Sequence, residues 1–181
     1  GIPPVGWDVG IIDENGDLLP RGEAGEIIGF SSFLMPEYFN LPDKTEEAIW
    51  RDEHGKTYLK TGDMGKLDED GFLYILDRKK DMIISGGINI FASDIEEVLA
   101  KHPDVQDCTV IGIPHEKWGE TPLALAIMYK GAMISEDELK AWLNGKVAKY
   151  QRVSGLVFKD DFPRNALGKV LKKELREAYG K

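Results

Sequence analysis

Apolar and polar positions alternate differently in the two parts of this chain. Up to residue 40 the apolar residues come in short runs, DVGIID and GEIIGF, bounded by turn residues, which predicts β-strands. ENGD between them contains Asn15-Gly16, a tight-turn signal, because both residues tolerate a positive φ. The Pro and Gly residues of GIPPVG and LLPRGEAGE mark connecting loops. LPDKTEEAIW reads as a short helix with Pro42 or Asp43 near its start and acids in its first turn, where the helix dipole favours them. DEHGK and DEDG read as turns, with His54 exposed in the first, and FLYIL as a strand returning to Asp77 and Arg78.

Later in the chain the spacing becomes helical in places. Ser93 and Glu96 have the separation of a capping box, followed by Ile95, Val98 and Leu99 on one side of a helix that ends near His102-Pro103. VQDCTVIGIP and TPLALAIMY read as strands bracketing the loop HEKWGE. Ser135 and Glu138 form a second capping box, ahead of Leu139, Trp142, Leu143 and Val147 at helical spacing. GLVF is a last short strand, and Leu171, Leu175 and Ala178 line one face of a closing helix. These elements predict an α+β chain whose second half is a small sheet covered by helices.

With 181 residues, 42% of them hydrophobic, the chain can bury a core as one domain or two small ones. The net charge of -9 argues against nucleic acid as a partner. That charge is uneven, at -16 over residues 1–139 and +7 over 140–181, and a basic tail suits a phosphorylated ligand or simply an exposed basic helix. The single cysteine, Cys108, sits in an apolar run, consistent with a buried thiol in a reducing compartment and a cytoplasmic protein. No apolar run reaches membrane-spanning length and no signal peptide is visible. Opening on Gly1 rather than Met, the chain reads as a piece of something longer. No Walker lysine motif, zinc spacing or Ser/His/Asp constellation occurs, and His102 and His115 lack metal partners at ligand spacing.

The chemistry concentrates in residues 58–91. Asp63 follows Thr61-Gly62 at a strand end, where a carboxylate can accept two hydrogen bonds from a vicinal diol. Arg78 offers fixed donors to a sugar or phosphate, and Ser85-Gly86-Gly87 lets the backbone approach a ligand closely. A second stretch, FPRNALGKV, is a polar loop between a strand and a helix. Lys169 there is either on a mobile tip with anchored flanks or the first residue of a surface helix.

The ordered string TGD, DRKKD, ISGGINI closely resembles the adenylate-forming superfamily of acyl-CoA synthetases, luciferases and peptide-synthetase adenylation domains, over essentially the whole chain. The resemblance implies the tail of a β-barrel subdomain over residues 1–79, part of a large N-terminal AMP-binding domain. It implies a mobile α/β C-terminal domain over 80–181, with a three-stranded sheet and a hinge at Lys80. Asp63 then falls to the ribose hydroxyls of ATP and Arg78 to the nucleotide. Lys169 falls where the family's lysine bridges the carboxylate and the α-phosphate. Ser85, Gly86 and Gly87 would line a pantetheine tunnel, and Trp118, Tyr150 and Arg152 would meet the coenzyme A nucleotide, with Trp118 read equally well as a partly buried anchor. The sequence departs from the pattern at Val153, where proline is common, and at Ser154, where some relatives are basic.

ATP, Mg2+ and coenzyme A are the implied cofactors, with the magnesium ligands and phosphate loop in an N-terminal portion that also holds the acid pocket. The implied activity is that of an acid–thiol ligase forming acyl-AMP and then acyl-CoA from a small carboxylic acid, in the first instance a fatty acid. The piece alone would be inactive. The alternatives are an adenylation domain that loads a carrier protein, and a non-catalytic module that binds a nucleotide or a partner.

Overall fold

The early apolar runs pair as antiparallel strands β1 (Asp8–Ile12) and β2 (Gly25–Phe30), from Asp8 opposite Phe30 to Ile12 opposite Glu26. A computed structural model describes residues 1–180, and the chain divides into two units between Lys80 and Asp81. In the first unit the Asn15-Gly16 turn is present: Asp13 Oδ1 accepts from the amides of Asn15 and Asp17, and Ile12 bridges Leu18.

Helix α1 (Pro42–Ala48) starts at the anticipated proline but stops early, because Ile49 and Trp50 belong to β3 (Ile49–Arg51). Those residues lie opposite Leu59 and Tyr58, and Trp50 Nε1 donates to the Gly16 carbonyl at 2.8 Å. Tertiary pairing of this kind outweighs one more turn on a short helix. The spine of the unit is β4 (Thr57–Leu67). Along one edge it carries β2, and along the other β3 at its start and β5 (Leu73–Arg78) at its end. Ile11, Ile12, Ile27, Ile28 and Met64 are buried within this five-stranded sheet.

The second unit has a sheet of five strands rather than three. Strands β6 (Ile83–Ser85) and β7 (Ile88–Ile90) form a hairpin that joins at Ser85 opposite Gly119, and runs of three residues offer too little alternation to read. The others are β8 (Val105–His115), β9 (Gly119–Met128) and β10 (Gly155–Phe158). β8 pairs along one edge of β9, while β10, in parallel, and β6 share the other.

Helices α2 (Ala92–Leu99) and α3 (Glu136–Asn144) cover one face, where Ile95, Leu99, Leu139 and Leu143 pack with Val110, Ala124 and Ala126. On the opposite face Ile111, Leu123 and Leu125 meet Phe162 and Leu175 of α4 (Lys172–Tyr179). Strands covered on both faces read as continuous apolar runs, as β8 and β9 do. The whole is α+β, with two sheets and four helices among the described residues.

One capping box forms and the other does not. At α3 the Ser135 hydroxyl accepts from the Glu138 amide at 3.3 Å and Glu138 Oε2 accepts from the Ser135 amide at 2.9 Å, holding that carboxyl below its ordinary pKa. Helix α2 instead starts with Phe91 at its N-cap, without a side-chain capping bond. Glu96 Oε1 turns toward β8, accepting from the Val110 amide at 2.7 Å and the Thr109 hydroxyl at 3.0 Å, and pairs with Lys172 at 2.8 Å. Three donors that include a cation hold a carboxylate better than one helix amide.

Candidate functional site

Strands β4 and β5 set Asp63 directly opposite Arg78, and Arg78 Nε meets Asp63 Oδ1 at 2.8 Å. The sharp change of direction before Asp63 comes from Gly62 at φ +72°, in the left-handed region that a β-carbon penalises. The Thr61 hydroxyl, itself donated to the Ile27 carbonyl, accepts from the Asp63 amide at 3.1 Å and steadies the carboxylate's backbone. With the Asp63 side chain 30% exposed, this is a carboxylate kept beside a cation yet open to hydroxyl donors.

The next three residues, Lys79–Asp81, form a single 3-10 turn. Lys79 Nζ pairs at 2.8 Å with Glu26, a carboxylate buried in the first unit. Asp81 pairs at 2.8 Å with Arg176 of α4, in the second unit. Lys80, between them, is exposed.

Within the second unit, Ser85, Gly86, Trp118, Tyr150 and Arg152 line one pocket of about 500 Å³. Gly87 does not line it, and no neighbour lies within 4 Å of where its β-carbon would be. Gly86 has φ +59° and a Cβ there would stand 2.8 Å from the Trp118 ring, so the indole lies on bare backbone. His115 Nδ1 accepts from the amides of Lys117 and Trp118, which shapes the loop carrying the indole, and Lys117 Nζ stands 4.7 Å from the ring centroid.

Tyr150 rides on a 3-10 turn, Lys149–Gln151, tied at its end by Asn144, whose side chain bonds both the amide and the carbonyl of Val153. A proline at 153 would lack the N–H that this link uses. Ser154 donates its hydroxyl to the carbonyl of Pro122, itself a lining residue. The sequence reading missed Ile88, Thr121, Pro122 and Lys149 in the lining. Of these Lys149 had a signal, adjoining Tyr150 in a basic and aromatic cluster. Two half-exposed aromatics with two cations suit a purine bearing phosphates.

Lys169 is exposed and lies on a hairpin whose flanks are anchored, not at the first residue of a helix, since α4 starts at Lys172. Arg164 bridges Val170, the Gly168 amide donates to the Asn165 carbonyl at 2.9 Å, and Gly168 takes φ +79°. Asn165 Oδ1 accepts from the amides of Leu167 and Lys169, both at 3.0 Å. Turns of this shape need a glycine at the left-handed position and favour Asn at their start. Among the described residues, no group of three or more His, Cys, Asp or Glu could hold a metal ion, and no helix is long and apolar enough to cross a membrane.

Comparison with known proteins supplies the context. Residues 94–169 match the family model of the AMP-binding enzyme C-terminal domain. The chain is 42% identical over 166 residues to a 2-succinylbenzoate–CoA ligase of Bacillus cereus, an alignment covering 92% of this chain and 33% of that protein. It is 39% identical over 172 residues to a long-chain-fatty-acid–CoA ligase of Mycobacterium tuberculosis, covering 95% of this chain and 33% of the relative. The crystal structure of ATP-bound MatB from Rhodopseudomonas palustris, 37% identical, superposes with a TM-score of 0.91 over 100% of this chain and 35% of its own. The chain thus spans about a third of the length of the curated relatives it matches.

Proposed function

Because the chain belongs to the adenylate-forming superfamily, alongside AMP-dependent acid–CoA ligases, we propose that it is the C-terminal part of an ATP-dependent acyl-CoA synthetase. The observation that carries this reading is the pocket gathering Ser85, Gly86, Trp118, Tyr150 and Arg152, apart from the hairpin that presents Lys169. In the first half-reaction a carboxylate oxygen attacks the α-phosphorus of ATP, giving acyl-AMP and releasing pyrophosphate. In the second, the coenzyme A thiol attacks the acyl carbon, AMP leaves, and the thiol proton passes to base.

Asp63 accepts from the ribose hydroxyls, and Arg78, its ion-pair partner, faces the nucleotide. Lys169 stands between two anions that must meet, and its charge offsets their repulsion and the charge that builds on the phosphorus oxygens. Residues 80–181 act as the moving domain and residues 1–79 as the end of the larger one, with Lys80 as the hinge. Ser85, Gly86 and Gly87 leave room for the pantetheine arm, and Trp118, Tyr150 and Arg152 take the nucleotide of coenzyme A. Magnesium, when bound, would neutralise the ATP phosphates, held by residues outside this chain, which we therefore expect to be inactive alone. The single free cysteine, Cys108, favours the cytoplasm as the compartment of the whole enzyme.

The aromatic and basic lining favours coenzyme A over a carrier protein as acceptor, and calorimetry with each separates them. For the acid we favour a fatty acid, the class named for the Mycobacterium relative. A substrate panel with 2-succinylbenzoate and a long-chain fatty acid on the full-length enzyme decides that choice. The central test is Lys169→Ala in the full-length enzyme. Pyrophosphate exchange should fall by about two to three orders of magnitude while thioester formation from preformed acyl-adenylate persists. Undiminished exchange would remove the catalytic role.

A further inference from the structure

We infer that Arg164 and Asp107 are positioning residues for adenylation, fixing the direction in which the hairpin presents Lys169. The inference rests on the adenylation role proposed above for Lys169. The internal bonds of the turn set its shape but not its direction. Phe162, buried on the sheet, anchors one foot of the hairpin and the bond from the Leu171 amide to the Pro163 carbonyl closes its base. Val170 packs on the same sheet cluster, and among the described residues the hydrogen-bonded link from the hairpin to the sheet runs through one side chain. Arg164 Nη1 donates to the carbonyl of Gly168 at 2.8 Å, one peptide before Lys169, and its Nη2 donates to Asp107 on β8.

Asp107 is itself held, because its other oxygen accepts from the Cys108 amide at 2.8 Å. β8 also shifts register between Val105 and Asp107, an irregularity of the kind that re-aims side chains. The planar fork of a guanidinium can hold two acceptors at once in fixed directions, which an ammonium cannot. Side-chain exposures of 35% for Arg164 and 39% for Asp107 make the pair worth little to stability, so its value lies in orientation. A lysine amine that must meet a developing charge is sensitive to such orientation, since a misplacement of about 1 Å can lower a rate about a hundredfold.

The test uses the full-length enzyme with Arg164→Gln, Asp107→Asn, Lys169→Ala and the Arg164→Gln/Lys169→Ala double variant, each assayed in both half-reactions. Arg164→Gln and Asp107→Asn should each lower pyrophosphate exchange by about tenfold to a hundredfold, with thioester formation from preformed acyl-adenylate within about twofold of wild type. The double variant should be no worse than Lys169→Ala alone, because a residue acting through Lys169 has nothing left to position. Asp107→Asn keeps the side chain's shape, so its result stands even if Arg164→Gln folds poorly.

Exchange unaffected by Asp107→Asn while Arg164→Gln impairs it would put Arg164 on the substrate and overturn the inference. Additive losses in the double variant, or equal losses in both half-reactions, would do the same. Loss in Lys169→Ala with none in Arg164→Gln sinks this inference alone, whereas no loss in Lys169→Ala sinks the reading beneath it.

Discussion

Replacing Gly86 by alanine probes the pocket with a single carbon. The new Cβ would lie 2.8 Å from Trp118 Cε3 and 3.3 Å from Cζ3. Carbon atoms rest about 3.5–4.0 Å apart, so the indole must retreat by roughly 1 Å. It has room to do so, being 47% exposed. The stability cost is then chiefly the left-handed backbone at φ +59°, about 1–2 kcal/mol for an L-residue. The functional cost should be larger, because a stacking surface displaced by that distance would no longer squarely meet the coenzyme A nucleotide proposed to lie there. We expect kcat/KM for coenzyme A to fall by about tenfold to a hundredfold in the full-length enzyme, with pyrophosphate exchange within about twofold of wild type. Thioester formation at the wild-type rate, or equal losses in both half-reactions, would refute the argument.

Three further outcomes follow from other parts of the molecule. Asp63→Asn should raise the KM for ATP in pyrophosphate exchange by about tenfold or more, since a hydrogen bond to a charged group is worth about 1.5–3 kcal/mol. Melting should change little, because the Asp63–Arg78 pair is partly exposed, and an unaltered KM would exclude a ribose contact. Burial pushes the Cys108 thiol up to about 12, with Glu96 and Asp107 adding to the shift. At pH 8 its thiolate fraction should be about three orders of magnitude below that of a free thiol near pKa 8.5, and iodoacetamide labelling followed by mass spectrometry should be correspondingly slow. Because the folded state holds that proton more tightly, its contribution to stability is intact below about pH 8.5 and is lost as pH rises toward 12. Cys108→Ala should remove that alkaline slope in denaturant titrations.

Features set by neighbours in sequence were legible before the structure. The Ser135–Glu138 box needs only three residues of separation, and the apolar runs of β8 and β9 report burial on both faces directly. What escaped depended on distant partners. Trp50 leaves its helix for a carbonyl 34 residues away, and Glu96 abandons its cap for donors on β8 and α4. The site divides in the same way. Asp63, Arg78 and Lys169 stood out by motif, but that Asp63 faces Arg78 depends on the register of β4 against β5. Arg164 gave no sign in sequence of its partner, because Asp107 lies 57 residues earlier.

The ion pairs on either side of Lys80 have a mechanical consequence. Lys79 is tethered to Glu26 and Asp81 to Arg176, each within its own unit, so both neighbours of Lys80 are already committed. If Lys80 is the hinge proposed above, motion that keeps both tethers falls on the φ and ψ of that one exposed residue. A joint of that kind would turn like an axle, about the backbone torsions of a single residue.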